Sequence, residues 1–394
     1  TAALARVPAG PSLHSVPMAG PSFCFRATRA AAVLLAAAFV AAPAAAQIFI
    51  GQPSGFTGSV AAGVKENTDG ARLYLDAVNA RGGVAGQKVE LVSVDDKFDP
   101  RQTVELARDL IQRKGVVALF LNRGTPHAQA LLPLLAEYRV PLVAPSTGAM
   151  VLHDPVNPWV FNVRATYQRE AIKAVEHLHS IGLQRIAVLQ TDDSFGADAA
   201  LGAQRGLVKV GLRAALDLRF PREKPDVQSL AAQVLKADAQ AVMVFGSSGN
   251  TAAVVTALRQ AGSTAQVVTL SNNASEGFIK LLGAHAHGVI VTQVFPNERS
   301  VNHALINEAV KLATAKGLPG VSPAMLEGFA AAKVLVEGLR RAGANPSGTK
   351  LRDALEGLNS FDLGGLKLNY SSSSHTGLDF ADLSIIDASG RFRR

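Results

Sequence analysis

From residue 47 onward the chain alternates between two hydrophobic periods, and this constrains its fold more than any other feature. Residues 48–50 and 89–94 read as strands. Between them Val64, Thr68, Ala71, Leu75 and Val78 recur at steps of four and three, which lines one face of a helix. The glycine-rich stretch from Arg81 to Gly86 ends that helix and turns the chain back. Pro100 opens a helix expected to run to about Lys114; 116–121 is a short apolar strand, Pro126 marks a helix start, and 141–144 is the next strand. A second set follows, with strands at 185–190, 215–220, 241–245 and 267–270 and helices at 197–210, 227–236 and 250–261. Continuously apolar strands bounded by helices belong to parallel sheets covered on both faces. Two such runs predict an α/β protein of two doubly wound lobes. After 289–291 the pattern turns helical, with Met325, Phe329, Ala332, Val336 and Leu339 on one face. Strands expected near 365–370 and 383–387 come too late for a third domain and are expected to complete the earlier lobes. No low-complexity linker interrupts 47–394, so several short crossings are expected to join the lobes.

The first 46 residues read differently. Arg26 and Arg29 precede the apolar run 30–40, and Ala44-Ala45-Ala46 closes it, the pattern of a secretory leader cleaved before Gln47. Met18 is the first methionine of the sequence. The only cysteine, Cys24, precedes the apolar run, so it is not placed as a lipid acceptor, and the mature chain carries no thiol. Disulfides and thiolate chemistry are thereby excluded from it. Removing Arg6, Arg26 and Arg29 lowers the formal charge from +8 to +5. That surplus is spread along the chain, with no basic stripe interleaved with aromatics, so no nucleic-acid partner is expected.

Catalytic patterns are missing. There is no G-x-S-x-G elbow, P-loop, H-E-x-x-H or G-x-G-x-x-G after a strand. Gly246-Ser247-Ser248-Gly249 has the wrong spacing for a nucleophile elbow. His177 and His179 point to different faces of a predicted helix, and His285 and His287 flank Ala286 in a turn. Asp95-Asp96 and Asp192-Asp193 follow strands, where carboxylates serve turns and helix starts. No catalytic residue, metal or cofactor is expected. What does recur is a small polar loop between strand and helix: residues 54–58, 122–126, 145–149, 193–196 and 247–250. Ligands of open parallel sheets bind beyond the carboxyl ends of the strands. There, helix N-termini offer free N–H groups to a carboxylate, and hydroxyls add directional bonds.

At these residues the chain resembles the Leu/Ile/Val-binding protein family, the type I periplasmic binding proteins of branched-chain amino acid ABC importers. The resemblance spans 47–394 and rests on four stretches: residues 51–55, 140–147, 193–196 and 326–337. It implies two lobes joined by three crossings near Arg164, Phe295 and Gly364, hence 47–164 with 296–364 in the first lobe and 165–295 with 365–394 in the second. It further implies a monomer that closes over a small molecule and delivers it to an inner-membrane ABC permease from the periplasm. By the same resemblance the carboxylate-holding loops are Arg123, Gly124 and Thr125 with Ser146, Thr147 and Gly148. Phe195 is the aromatic contact, Ser248 the second-lobe contact, and Phe56, in the first loop, completes the set with Asn272. One departure matters. Where the family's amino-acid binders place an acid for the ligand ammonium, this chain has Ser271-Asn272-Asn273. Asparagine adds no charge, so a carboxylic acid without an amine, aromatic or aliphatic, stands beside an α-amino acid as the expected ligand. A ligand sensor of the same fold without transport is the first alternative, and a secreted hydrolase the second.

Overall fold

A computed structural model describes residues 47–394, with Ser12, His14, Ser15 and Pro17 before them. The expected leader thus lies almost wholly outside the described residues. The first sheet is parallel throughout: β1 (Gln47–Ser54), β2 (Lys88–Asp95), β3 (Ala118–Phe120), β4 (Leu142–Val143) and β5 (Val160–Phe161) run in the order β2-β1-β3-β4-β5. Its strands are linked through α1 (Ala61–Ala80), α2 (Pro100–Asp109) and α3 (Thr125–Tyr138). The chain then passes through α4 (Tyr167–Ser180) into a second sheet. There β6 (Ile186–Thr191), β7 (Leu216–Phe220), β8 (Ala241–Phe245), β9 (Gln266–Thr269) and β10 (Ile290–Gln293) lie in the order β7-β6-β8-β9-β10, also parallel. Helices α5 (Ser194–Lys209), α6 (Val227–Lys236), α7 (Ser248–Gln260) and α8 (Glu276–Leu282) connect and flank them.

Both faces of each sheet are covered, as the unbroken apolar strands require. Phe120 and Val143 face one core with Leu75, Phe329 and Leu335, whereas their neighbours Leu119 and Leu142 face the other with Leu110, Leu131 and Leu135. In the second sheet Leu189 and Val244 pack on the α6–α8 side, and Val188 and Met243 on the α4–α5 side. The later helices α9 (Ala304–Ala315), α10 (Pro323–Ala342) and α11 (Gly348–Glu356) return to the core under the first sheet.

The strand expected at 365–370 belongs to neither sheet. β11 (Phe361–Asp362) and β12 (Lys367–Leu368) pair only with each other, as a separate two-stranded ribbon. Leu368, Tyr370 and Leu378 still pack in the first core. The second sheet resumes with β13 (Asp382–Ile386), antiparallel to β10, and ends at β14 (Phe392–Arg393). The helix expected at 197–210 starts earlier, at Ser194, because Asp193 accepts from the N–H groups of Phe195 and Gly196 and caps it.

One close packing fixes the floor of the cleft. Helices α1 and α10 meet backbone to backbone, since a Cβ on Gly70 would lie 1.9 Å from the Met325 carbonyl oxygen and one on Gly328 1.8 Å from that of Asn67. Only glycine permits this approach, and it brings Glu327 beneath the loop that follows β4.

Candidate ligand-binding cleft

In both sheets the order reverses next to a central strand, between β1 and β3 in one and between β6 and β8 in the other. Connections leaving such neighbours go to opposite faces and open a crevice at the strand ends. The lining of the cleft follows from that rule. Val60, Arg123, Phe195 and Ser247 enter it from the loops after β1, β3, β6 and β8. Gly124 and Thr125 follow Arg123; Phe98 comes from the loop after β2, Tyr167 from beyond β5, Arg222 from the loop after β7 and Asn272 from the turn after β9.

The lobes are closed on one another. Gly249 N–H donates to the Ser59 carbonyl at 3.2 Å, and Arg123 Nη2 to the Asn272 carbonyl at 2.5 Å. Helix α8 docks on α1, where a Cβ at Gly277 would stand 2.3 Å from that of Ala62. The space left between the lobes in this tightly closed form is only about 20 Å³, room for about one water, so a solute is held there only with the lobes somewhat farther apart.

Arg123 dominates its electrostatics. The side chain is buried, 5% exposed, yet it forms no ion pair among the described residues. Its Nη1 donates to Ser146 Oγ at 3.2 Å, and Ser146 Oγ in turn donates to Glu327 Oε1 at 2.8 Å. Burial holds the guanidinium below its usual pKa, against the opposing pull of Tyr167 and Glu327. A buried cation with only neutral partners is costly, and an anionic ligand supplies what it lacks.

Arg222, by contrast, is already paired. It donates through Nε to Asp193 Oδ2 at 2.8 Å, and its guanidinium lies 5.1 Å from the centre of the Phe98 ring. This contact draws the second lobe over the first. Phe98 is held from below by His127, stacked at 4.2 Å, whose ring burial pushes its pKa down to about 4 and keeps neutral. Tyr167 and Phe195 meet edge to face at 4.9 Å and form the apolar wall.

The structure brings Arg123, Gly124, Thr125, Phe195 and Asn272 of the expected residues to the cavity. Ser146 and Thr147 back it, Thr147 through a 2.7 Å hydroxyl contact with Thr125. Gly148 touches the start of α4, its carbonyl accepting from Tyr167 N–H at 2.8 Å. Ser248 stands behind, donating to Asn273 Oδ1 at 2.9 Å, while its neighbour Ser247 lines the cavity. Phe56 is not brought there. Its N–H bonds Asp95 and its ring lines a surface depression with Lys65 and Arg72, while Val60 takes the place at the cavity. Phe98, Tyr167 and Arg222 escaped the sequence reading because it favoured glycine- and serine-bearing loops. The same strand-end rule finds Phe98 and Arg222 once every strand is followed to its end.

Away from the cavity one contact latches the lobes. Glu66 on α1 accepts from the N–H groups of Glu276 and Gly277 at 3.1 and 2.8 Å and from Ser322 Oγ at 2.6 Å. Burial raises its pKa, and these three bonds oppose the rise. Charge-assisted bonds of this kind are worth about 1.5–3 kcal/mol each before desolvation is subtracted. Glu66→Ala is expected to weaken binding of a stabilising carboxylate about tenfold and to enlarge the radius of gyration of the liganded protein in solution scattering. Unchanged affinity and radius would remove Glu66 from closure.

The matches to known proteins agree with this geometry. Residues 47–380 match the family model described as periplasmic binding protein. The Leu/Ile/Val-binding protein homolog 3 of Brucella melitensis is 26% identical over 323 residues, 80% of this chain and 84% of the relative. A substrate-binding periplasmic protein of Ralstonia solanacearum, known by crystal structure, is 34% identical with a TM-score of 0.81, covering 88% of this chain and 99% of the other. A fatty acid ABC transporter substrate-binding protein of Thermomonospora curvata shares the fold at 19% identity and TM-score 0.78, over 88% of this chain and 90% of that one. These relatives bind solutes and are not enzymes. No helix among the described residues is long and apolar enough to cross a membrane. With two parallel-sheet lobes closed on a cleft built from their strand ends, the chain belongs to the periplasmic binding protein family, in the company of the Leu/Ile/Val-binding proteins.

Proposed function

We propose that this protein is the periplasmic solute receptor of an ABC importer and that its solute is a small carboxylic acid without an α-amine. One observation carries the reading: Arg123 is buried in the cleft without a counter-ion. The cavity lining holds two guanidinium groups and no carboxylate, and Asn272 stands where an ammonium-binding acid is expected. An ammonium would therefore meet the unpaired guanidinium of Arg123, with no carboxylate in the cavity lining to receive it. The fold accommodates such a solute, since a protein named for fatty acid transport shares it. Closure proceeds about crossings that we place near Arg164, near Phe295 and, in place of the one expected near Gly364, between Leu378 and Asp382, because Leu368, Tyr370 and Leu378 pack in the first core. A solute drives it only by binding the closed form more tightly than the open one. The closed form then docks on a membrane permease.

A thermal-shift screen of matched acids with and without an α-amine tests this reading. At 100 times its Kd a solute stabilises by about 2.7 kcal/mol. The amine-free acids are expected to raise the melting temperature, unconverted, and Asn272→Asp is expected to weaken them by setting an anion beside the carboxylate. Stabilisation by amino acids alone, or stronger binding of the amine-free acids by Asn272→Asp, would refute it.

A further inference from the structure

We infer that the solute carries a hydroxyl group close to its carboxylate, and that the side-chain oxygen of Asn272 is the acceptor awaiting it. This inference rests on the carboxylate reading above and specifies the second polar group of that solute. Asn272 lines the cavity and is 7% exposed. Its Nδ2 faces two acceptors, the Gly246 carbonyl at 3.0 Å and Asn273 Oδ1 at 3.3 Å, which fixes the orientation of the amide. Its Oδ1 is consequently turned the other way, buried and without a partner in the protein.

The group cannot easily turn to find one. Asn273, which holds it, is itself locked: Nδ2 donates to Thr269 Oγ1 at 2.9 Å and Thr251 Oγ1 at 3.1 Å, and Oδ1 accepts from Ser248 Oγ at 2.9 Å. Buried acceptors are nearly always satisfied, and one left bare at a cavity wall marks the place of a ligand donor.

The chemistry of that donor follows from the charges around it. Arg123 and Arg222 both face the cavity, and the nearby Asp193 is committed to Arg222 and to the two N–H groups that open α5. A cationic donor would be repelled there, whereas a neutral hydroxyl satisfies Asn272 without adding charge. Its position follows from geometry. The guanidinium of Arg123 already touches the backbone carbonyl of Asn272. A solute whose carboxylate pairs with Arg123 therefore presents its donor from the carbon next to that carboxylate. The class is a 2-hydroxy acid.

Titration calorimetry on the mature chain with three matched sets tests this. The sets are lactate, propionate and alanine; 2-hydroxyisocaproate, isocaproate and leucine; and 3-phenyllactate, 3-phenylpropionate and phenylalanine. Within the set whose skeleton fits, the hydroxy acid is expected to bind about 10- to 100-fold tighter than the deoxy acid, the cost of leaving the buried acceptor bare. It should also exceed the amino acid. In Asn272→Leu the hydroxy and deoxy acids should converge to within about threefold. Equal affinities of hydroxy and deoxy acids for the unmodified protein would overturn this inference and leave the carboxylate reading standing. Tightest binding by an amino acid would overturn both, as would binding by none of the nine.

Discussion

Arg123→Met abolishes solute-induced stabilisation while leaving the unliganded protein about as stable as before. Both halves of this expected result come from the missing counter-ion. The buried guanidinium keeps only two neutral partners, the Ser146 hydroxyl and the Asn272 carbonyl. Each such bond contributes about 1 kcal/mol net. Removing the cation relieves a desolvation cost of similar or greater size, and methionine fills much of the same space. Binding responds quite differently. Losing the partner of a buried charge pair costs about 2–5 kcal/mol, so affinity for the stabilising acid should fall at least about 30-fold. Arg123→Lys should fall between, keeping the charge and losing the planar fork that grips a carboxylate bidentately. Calorimetric titration measures the first effect and a denaturant midpoint the second. A variant that still binds the acid within a few-fold of the original would leave Arg123 without its role.

Glu170→Gln is expected to show the opposite profile, a large loss of stability. Arg164 is fully buried at the crossing after β5 and pairs with Glu170 on α4, while Glu327 on α10 lies 3.8 Å from its other nitrogen. Glu170 also accepts from the Ser271 N–H at 2.9 Å and from the Thr292 hydroxyl. Although burial opposes it, the two carboxylates hold the Arg164 pKa above its usual value. Breaking a buried pair costs about 3–5 kcal/mol, and the substitution leaves Arg164 with only the more distant Glu327 carboxylate. Urea denaturation followed by circular dichroism would register this as a drop in midpoint; a change below about 1 kcal/mol would mean that water reaches Arg164 and screens it. Two buried arginines thus lie side by side with opposite expectations. Arg164 has its anion within the protein, and Arg123 has none.

Much of this arrangement was readable from residue types alone. The strands at 241–245 and the helix at 227–236 emerge from the sequence with the bounds they have in the structure, because a run of apolar residues closed by polar ones leaves little choice. β5 escaped, since two residues, Val160 and Phe161, are too few to display a period. Phe98 escaped for another reason. Both Lys97 and Phe98 adopt positive φ, 53° and 59°, in a turn held by Asp96, and nothing in their side chains announces that conformation. Phe56 was expected at the cavity on loop position alone, but the Asp95 carboxylate draws its backbone toward β2. The Arg222–Phe98 contact depends on how the lobes meet, which no local pattern encodes. Asn272 was legible as a departure from a family pattern; the unsatisfied oxygen that gives it meaning was not.

The account is tested most directly by a crystal structure of the protein with the tightest-binding acid of the calorimetric series. It predicts the carboxylate oxygens at about 2.7–2.9 Å from the Arg123 guanidinium, in the cavity between Phe98, Tyr167 and Phe195, with the lobes closed. An acid bound elsewhere, or one whose carboxylate points away from Arg123, would contradict it.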